Sequence, residues 1–322
     1  MTGARIVAAL ILIMALAAGY AHGQAWPQKP VRVIVPFPPG GTTDSIARIT
    51  VEWLTSRLGH AVVVENKAGA SGVIAAEFVA RAEPDGYTLL MAPLPLMVVV
   101  PQISKVPYDP PKDFVPISIV ASNDFALAVA EKLPVATLRE LIAYAKERPG
   151  TLAYASAGSG TVSHLTMALL LRRAEAEMVH VPYKGGGPAI SDVVAGHVSV
   201  YFGNFAEVLP YARGGKVKVL AVSGEHRSPM FEGVPTVAEQ GFPGFRTNTW
   251  NGLAAPAGTP HAIVERLASA IATAAKDPSF MKRLENIGAD PVGNTPTEFA
   301  HTLKVDFEIW SEAIRASGAK IE

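Results

Sequence analysis

The strongest constraint in this sequence is a repeated alternation of short, β-branched apolar runs with longer segments of helical periodicity. Residues 31–35 form one such run, and the apolar residues between positions 43 and 58 recur at helical spacing. The alternation returns later, with apolar runs at residues 152–156, 178–181 and 217–222. This pattern is typical of βα units that build parallel sheets. The sequence therefore predicts an α/β fold.

Length and composition indicate two hydrophobic cores and exclude several functions. The chain has 322 residues, of which 49% are hydrophobic, and domains average roughly 150 residues, so two are expected. The 28 Lys and Arg residues balance the 28 Asp and Glu residues, which argues against a nucleic-acid partner. Because the chain has no cysteine, thiol catalysis, cysteine-based metal sites and disulfides are excluded.

The first 25 residues have the layout of a secretory signal peptide. Arg5 precedes an apolar run over residues 6–18, and small residues follow. The run is shorter than the ~20 residues that span a bilayer, although an uncleaved membrane anchor is the alternative. A lipid anchor is excluded because no cysteine follows. We therefore expect a periplasmic, soluble protein, cleaved near Gly23 or Ala25.

Three glycine-rich loops, each between a predicted strand and a predicted helix, are the candidate binding elements. They read PFPPGGTTD at residues 36–44, SAGSGTVSH at 156–164 and YKGGGP at 183–188. Hydroxyls and the unpaired amides of helix starts offer donors to an anion. Asp44 is expected to accept from amides of its own helix and hold the loop shape. For any single loop, a tight connection without a ligand is the alternative.

Catalytic motifs in these loops are incomplete. Ala157 stands where a nucleophile elbow around Ser159 needs its first glycine. A dinucleotide fingerprint in the same loop would end in Ser163 instead of glycine. The eight histidines are scattered without metal-ligand spacing. The sequence predicts binding loops without catalytic residues, metal or cofactor, and hence no enzyme.

The sequence resembles the Bug family, the extracytoplasmic substrate-binding proteins of tripartite tricarboxylate transporters. Similar segments include KPVRVIVPFPPGGTTDSIAR (29–48), YASAGSGTVSHL (154–165) and HVPYKGGGPAISDVVAGHV (180–198), and PFPPGGTTD together with VPYKG is specific to this family. Further similar segments lie at residues 62–90 and 252–260. The similarity extends in order from about Trp26 to the C-terminus.

The resemblance implies a two-domain periplasmic binding protein of the type II-like, Venus flytrap kind. Each domain would be a mostly parallel sheet with helices on both faces. Domain 1 would comprise residues 26–124 and 247–322, and domain 2 residues 125–246, with a carboxylate held between them by amides, hydroxyls and waters. The candidate ligand-binding residues are Phe37, Gly40, Gly41, Thr43, Asp44, Pro93, Leu94, Ser156, Gly158, Ser159, Gly160, Thr161, His164, Lys184, Gly185 and Asn204.

Two departures from the family pattern shape the expected ligand. Residues 92–98 read APLPLMV, where relatives commonly carry small and polar residues, and Asn204 stands where relatives often carry an acid. An apolar wall favours an apolar ligand body, at about 0.8 kcal/mol per buried methylene. A missing acid removes the partner of an amino group. We expect a carboxylate, such as a dicarboxylate, with an apolar or aromatic body, not an amino acid or citrate.

The implied partners are a small organic acid and the membrane permease subunits of the transporter, and the protein is expected to be a monomer. A sensor that presents its bound ligand to a signalling receptor is an alternative that the sequence leaves open. An exported serine hydrolase using Ser159 with His164 is a remote alternative, since the motif spacing is wrong and no third partner is present.

Overall fold

The structure, a computed structural model, describes residues 26–183 and 185–318. The expected signal peptide and Lys184 lie outside these residues. The strands are β1 (Val31–Val35), β2 (Val62–Asn66), β3 (Thr88–Pro93), β4 (Phe114–Ala130), β5 (Ala153–Ser156), β6 (Val179–Pro182), β7 (Val200–Asn204), β8 (Val217–Val222), β9 (Asn248–Pro256) and β10 (Asp290–Pro291).

The helices follow the strands in the alternation that the sequence predicts. They are α1 (Thr42–Leu58), α2 (Val73–Ala80), α3 (Val100–Ile103), α4 (Pro110–Asp113), α5 (Leu138–Glu147), α6 (Val162–Ala174), α7 (Gly186–Ala195), α8 (Phe205–Arg213), α9 (His261–Ala274), α10 (Pro278–Asn286) and α11 (Pro296–Ser317). A π-helix (Pro95–Val99) precedes α3, and short 3-10 turns occupy Ala70–Gly72, Pro229–Phe231 and Ala238–Gln240.

Helix ends follow local sequence chemistry. Thr137 accepts from the Glu140 N–H at the start of α5, as its capping spacing predicts. Thr295 and Glu298 form a complete capping box before α11. Gly59 ends α1 in the left-handed conformation, with φ +70°.

The described strands form one mixed sheet in the order β2-β1-β3-β9-β4-β7-β5-β6, with β8 and β10 also paired to β4. β1 is parallel to β2 and β3, and β5 is parallel to β6 and β7. β4 and β9 are antiparallel to their neighbours. The predicted α/β fold is confirmed. The sheet is mixed because the antiparallel strands β4 and β9 lie between the parallel strands β1–β3 and the parallel strands β5–β7.

β4 connects two groups of parallel strands. It is 17 residues long. From Phe114 to Asp124 it pairs with β9, and from Phe125 to Ala130 it pairs with β7 or β8. β1, β2 and β3 form the first group, and β5, β6 and β7 form the second.

Helices cover both faces of the first group. The side chains of Val31, Val33 and Val35 share a core with α1, α9 and α10, whereas Ile34 belongs to the core on the α2 face. That second core continues into the second group, where it includes Leu127 of β4 and residues of α6 and α11. Among the described helices, none combines the length and apolarity that a membrane crossing demands.

Candidate functional site

Strand directions bring the glycine-rich loops toward one line across the sheet. β1 and β3 run in the same direction as β4, because both β3 and β4 are antiparallel to β9. β5, β6 and β7 run the opposite way, because β7 is antiparallel to β4. Since β4 leads from the first group into the second, the carboxyl ends of the two groups point toward each other. These ends are where open α/β sheets bind ligands.

Asp44 holds the first loop from the inside. Its carboxylate, 2% exposed, accepts from the Gly40 N–H at 2.9 Å and from the Arg48 guanidinium at 2.8 Å. Asn66 donates to the same carboxylate at 2.8 Å and to the Phe37 carbonyl at 3.0 Å. Burial raises the pKa of Asp44, but the hydrogen bonds outweigh it, and the pKa lies below its ordinary value. The donors are a loop amide and two side chains, where the sequence predicted amides of its own helix.

The start of α1 is open to an incoming anion. Gly41 is its N-cap, and no side chain caps the helix. The first amides of an α-helix have no intrahelical partner, and their partial positive charge attracts anions. Gly40 and Gly41 are exposed, while Thr43 is buried. Gly40 has φ +91°, a conformation that only glycine adopts readily.

Hydroxyl groups shape the second loop. The hydroxyl of the fully buried Ser156 lies 3.1 Å from the Gly158 carbonyl and accepts from the Gly158 N–H at 3.2 Å. Thr161 donates to the same carbonyl at 2.6 Å. α6 has Thr161 as N-cap and no side-chain cap bond, so its first amides also lack intrahelical partners. A Cβ placed on Gly160 would lie 3.8 Å from Ile103 Cδ1, so this loop reaches the segment after β3.

Two neutral imidazoles brace the second loop. His164 Nδ1 accepts from the Gly160 N–H at 3.0 Å, so that nitrogen carries no proton. His180 Nε2 lies 2.7 Å from the Ser156 hydroxyl. The two imidazoles stack with centroids 3.9 Å apart and an interplanar angle of 3°. Burial, together with His180, lowers the pKa of His164 to about 4, and burial lowers the pKa of His180.

His180 is a site residue that the loop motifs miss. It lies on β6, outside the second loop, and comes next to Ser156 only because β5 and β6 pair. In that pairing Tyr154 stands opposite His180. The signal in the sequence is that each strand carries an aromatic ring two residues before its last position.

The third loop is tied to the second. Lys184 lies outside the described residues. Gly185 donates its N–H to the Ala157 carbonyl at 3.0 Å, and Tyr183 donates to the Ser156 carbonyl at the same distance. Gly185 is the N-cap of α7, which has no side-chain cap bond. The second and third loops thus form one structural unit.

Asn204 caps a helix. Its side-chain oxygen accepts from the Ala206 N–H at 3.1 Å, and Glu207 accepts from the Asn204 N–H at 3.2 Å. Glu207 also accepts from the Tyr201 hydroxyl at 2.7 Å, and burial raises the pKa of Glu207. An acid therefore lies beside this strand end, three positions after Asn204. The Asn-x-x-Glu spacing of a capping box is its signal in the sequence.

The apolar segment after β3 is part of the core. Pro93 ends β3, and Leu94 and Leu96 are each 0% exposed, with Met97 at 4%. The sequence predicts an apolar wall beside the ligand at this position. In the structure the π-helix turns these side chains into the core shared by the two groups of strands. These side chains present almost no surface to solvent.

The cavities differ in what they offer an anion. One of about 680 Å³ borders the second loop and is lined by Tyr154, Ser159, His164, Arg172 and His180, among others. A larger one, about 810 Å³, lies at the opposite edge of the sheet, where β1 and β3 begin. Its cations already pair with acids, as in the bonds of Lys29 to Asp85 and Arg81 to Glu77. We therefore place the candidate site at the carboxyl ends of the strands.

The arrangement suits binding better than catalysis. Open helix starts and hydroxyls supply donors, and Arg48, the cation nearest the first loop in the described bonds, is held by Asp44. Ser159 is exposed, whereas the serine that contacts a histidine, Ser156, is 0% exposed and cannot reach a substrate. In the hydrolase alternative His164 would be the base for Ser159, but its Nδ1 already accepts from the Gly160 N–H.

Comparisons with known proteins find a matching family and similar sequences. The family described as "Tripartite tricarboxylate transporter family receptor" matches residues 46–318. Protein BugT of Bordetella pertussis is 36% identical over 322 residues, covering 99% of each chain. A UPF0065 protein encoded in the tcbD-tcbE intergenic region of a Pseudomonas species is 38% identical over 312 residues, 96% of this chain and 93% of its own.

Solved structures agree with the fold. Rpa4515 of R. palustris, solved with adipate, is 33% identical with a TM-score of 0.77 over 92% of this chain and 100% of its own. MatC of Rhodopseudomonas palustris, with bound malate, is 33% identical with a TM-score of 0.72 over 90% and 100%. A TctC solute-binding protein from Polaromonas reaches a TM-score of 0.82 at 30% identity, over 90% and 99%.

Proposed function

This chain belongs to the tripartite tricarboxylate transporter receptor family, and we propose that it binds a small organic carboxylate between the loops after β1 and β5. The family consists of periplasmic solute-binding proteins, not enzymes. One observation carries the proposed site: the starts of α1 and α6 both lack a side-chain cap, and both follow strand ends that point toward each other. Each start supplies amides for one group of carboxylate oxygens.

The proposed contacts divide into two roles. Phe37, Gly40, Gly41 and Thr43 in the first loop, Gly158, Ser159, Gly160 and Thr161 in the second, and Lys184 and Gly185 in the third touch the ligand. Asp44, Ser156, His164 and Asn204 act by holding their loops, which is supported by the hydrogen bonds that each makes. Pro93 and Leu94 are buried instead.

A two-domain division explains how the ligand is enclosed. Residues 26–124 and 247–322 form domain 1, and residues 125–246 form domain 2. The change of β4's partners between Asp124 and Phe125 supports the first boundary. Rotation about β4 and the chain before β9 closes the domains on the ligand, and affinity depends on contacts that exist only in the closed state.

The ligand class follows from relatives and from charge. Rpa4515 was solved with adipate and MatC with malate, so dicarboxylates are the first candidates for this chain. Glu207, an acid beside Gly186 of the third loop, already accepts from Tyr201 and Asn204, which leaves it poorly suited to an amino group. A dicarboxylate therefore fits better than an amino acid.

The cellular setting completes the proposal. A cleaved signal peptide over residues 1–25 exports the chain to the periplasm, and the protein delivers its ligand as a monomer to the permease subunits of the transporter. The alternative, a sensor that presents the ligand to a receptor, is distinguished by deletion of the gene for this protein. Loss of uptake of the ligand supports transport, and loss of a transcriptional response with intact uptake supports sensing.

The open start of α1 can be tested by a proline at its first residue, which removes a backbone N–H together with the exposed Thr42 hydroxyl. Thr42→Pro removes one N–H at the first helical position, where proline is well tolerated and where Gly41 already has the extended backbone that proline requires. A charge-assisted hydrogen bond contributes about 1.5–3 kcal/mol, so we expect at least about tenfold weaker adipate binding by isothermal titration calorimetry, with unchanged thermal stability.

A matched control is His261→Pro, at the first position of α9. That helix also lacks a side-chain cap but follows β9, whose direction places it at the opposite edge of the sheet. It should bind adipate like the wild type. Equal binding by Thr42→Pro would contradict the proposed site.

A thermal-shift panel in which only citrate or aspartate stabilises the wild type would refute the apolar ligand body.

A further inference from the structure

His180 lies on a strand outside the glycine-rich loops, yet it contacts the groups that shape the second loop. Its ring stands opposite Tyr154 across the β5–β6 pair, with centroids 5.0 Å apart and an interplanar angle of 22°. The same ring stacks on His164 at 3.9 Å. The imidazole is therefore held in a fixed orientation by two other rings.

The Ser156 hydroxyl lies within hydrogen-bond distance of two acceptors for its one proton. The Gly158 carbonyl is 3.1 Å away and His180 Nε2 is 2.7 Å away. The Gly158 carbonyl already accepts from Thr161 at 2.6 Å, and the tautomer of His180 decides whether Nε2 donates to the Ser156 oxygen or accepts from it. Ser156 is 0% exposed, so water is poorly placed to replace a lost partner, and the loss leaves a buried polar atom with fewer partners.

Ser156 in turn controls Gly158. The hydroxyl contacts both the N–H and the carbonyl of Gly158, whose φ of +140° directs the chain into α6. Thr161, the N-cap of α6, donates to that carbonyl. A chain of contacts thus leads from the His180 nitrogen through the Ser156 hydroxyl to the open start of α6.

We propose that His180 is a positioning residue for the carboxylate site, which donates to Ser156 and thereby aims the first amides of α6 at the ligand. This inference rests on the proposed function, since it assigns a task to a residue of the same site. It separates two roles of one ring. The nitrogen positions the loop, whereas the ring face packs between Tyr154 and His164.

Two substitutions separate these roles. His180→Phe keeps an aromatic ring for the stack and removes the donor. His180→Gln removes the ring and keeps an amide donor within reach of Ser156. We expect His180→Phe to bind adipate at least about tenfold more weakly, with a thermal midpoint near that of the wild type. His180→Gln should retain affinity to within about threefold, even if its midpoint falls. The reverse pattern, with full affinity in His180→Phe, would overturn the inference.

A measurement on the wild type covers the case in which a variant does not fold. With ¹⁵N-labelled histidine, the ring of His180 should show the neutral tautomer protonated at Nε2, and its signal should shift when adipate saturates the protein. A tautomer protonated at Nδ1, or no shift, would contradict the inference. If the wild type binds none of adipate, malate and citrate, the proposed function fails. If it binds one of them and His180→Phe binds equally, this inference alone fails.

Discussion

The two loops proposed to grip the ligand are held in shape by opposite kinds of chemistry. The first is organised around a buried charge, because the carboxylate of Asp44 gathers donors from the backbone, Arg48 and Asn66. The second is organised by neutral groups, the Ser156 hydroxyl and the stacked imidazole of His164 with its partner ring. Both arrangements leave the following helix without a side-chain cap.

Because of this difference, the two loops should respond differently to a fall in pH. The pKa of Asp44 lies below its ordinary value, so its charge persists until the solution is strongly acidic. The pKa values of both histidines are lowered, so the folded state keeps neutral rings where an unfolded chain would already be protonated. The second loop should therefore weaken first as the pH falls.

The largest effect should come from removing the charge of the first loop. Asp44→Asn replaces a carboxylate that accepts from Gly40 and Arg48 with an amide whose NH₂ faces one of these donors. We expect a loss of about 2–3 kcal/mol in the free energy of unfolding, measured with urea. Glu52→Gln, at an exposed ion pair with Arg283, should leave stability unchanged. A loss shared equally by both variants would mean that the buried charge has no special role.

The next effect concerns protons at the second loop. The pKa of His164 is about 4 in the folded state against an ordinary 6.5, so its stabilising contribution is complete above pH 6.5 and lost as the pH falls toward 4. Between pH 7.5 and pH 5 the wild type should lose roughly 2 kcal/mol of stability from this group. His164→Gln can still accept from Gly160 and does not titrate, so its stability should depend less on pH. Parallel profiles would remove the proposed contrast between the loops.

A smaller effect should separate two serines of the second loop. Ser156→Ala removes the acceptor for the Gly158 N–H and the hydroxyl that contacts the neighbouring imidazole, which should cost about 1–2 kcal/mol of stability. Ser159→Ala changes an exposed hydroxyl and should not alter thermal unfolding. The same pair tests the hydrolase alternative, because ester turnover that vanishes in Ser159→Ala would contradict assignment to a binding protein.

The smallest effect is that of salt. The stability difference between the wild type and Asp44→Asn should shrink by a few tenths of a kcal/mol when NaCl is raised to about 0.5 M, because Arg48 is half exposed and its attraction is screened. The difference between the wild type and Ser156→Ala should not change. Equal salt dependence in urea titrations of both pairs would show that the two loops are not held by different chemistry.

The sequence predicts those parts of the fold in which neighbouring residues decide the structure. The β1–α1 and β5–α6 units are confirmed, and the helix ends at Gly59 and Thr137 follow from the residues next to them. Each depends on local periodicity or on a side chain within one helical turn. For the same reason, the residue pattern alone identifies the glycine-rich loops as strand-to-helix connections.

Features set by distant partners are not predictable in the same way. β4 includes Pro116 and the polar residues 122–124, which interrupt any apolar alternation, and it is strand only because partners lie along both of its halves. α8 contains Pro210, and its capping box is not among the sequence predictions. Leu94 reads as a ligand wall but is turned inward by the π-helix, and His180 becomes a site residue only through the pairing of β5 with β6.

The position of β9 has a consequence for how this molecule comes into being. β9 lies between β3 and β4 in the sheet although it is formed by residues 248–256. Until those residues have emerged, the strands on either side have bare edges, which attract other chains, and pairing over such sequence distances is slow. A polypeptide that emerges amino-terminus first can therefore complete this sheet only after residues 248–256 have emerged. The C-terminal part of the chain, and not the first strands, sets the moment at which folding can finish.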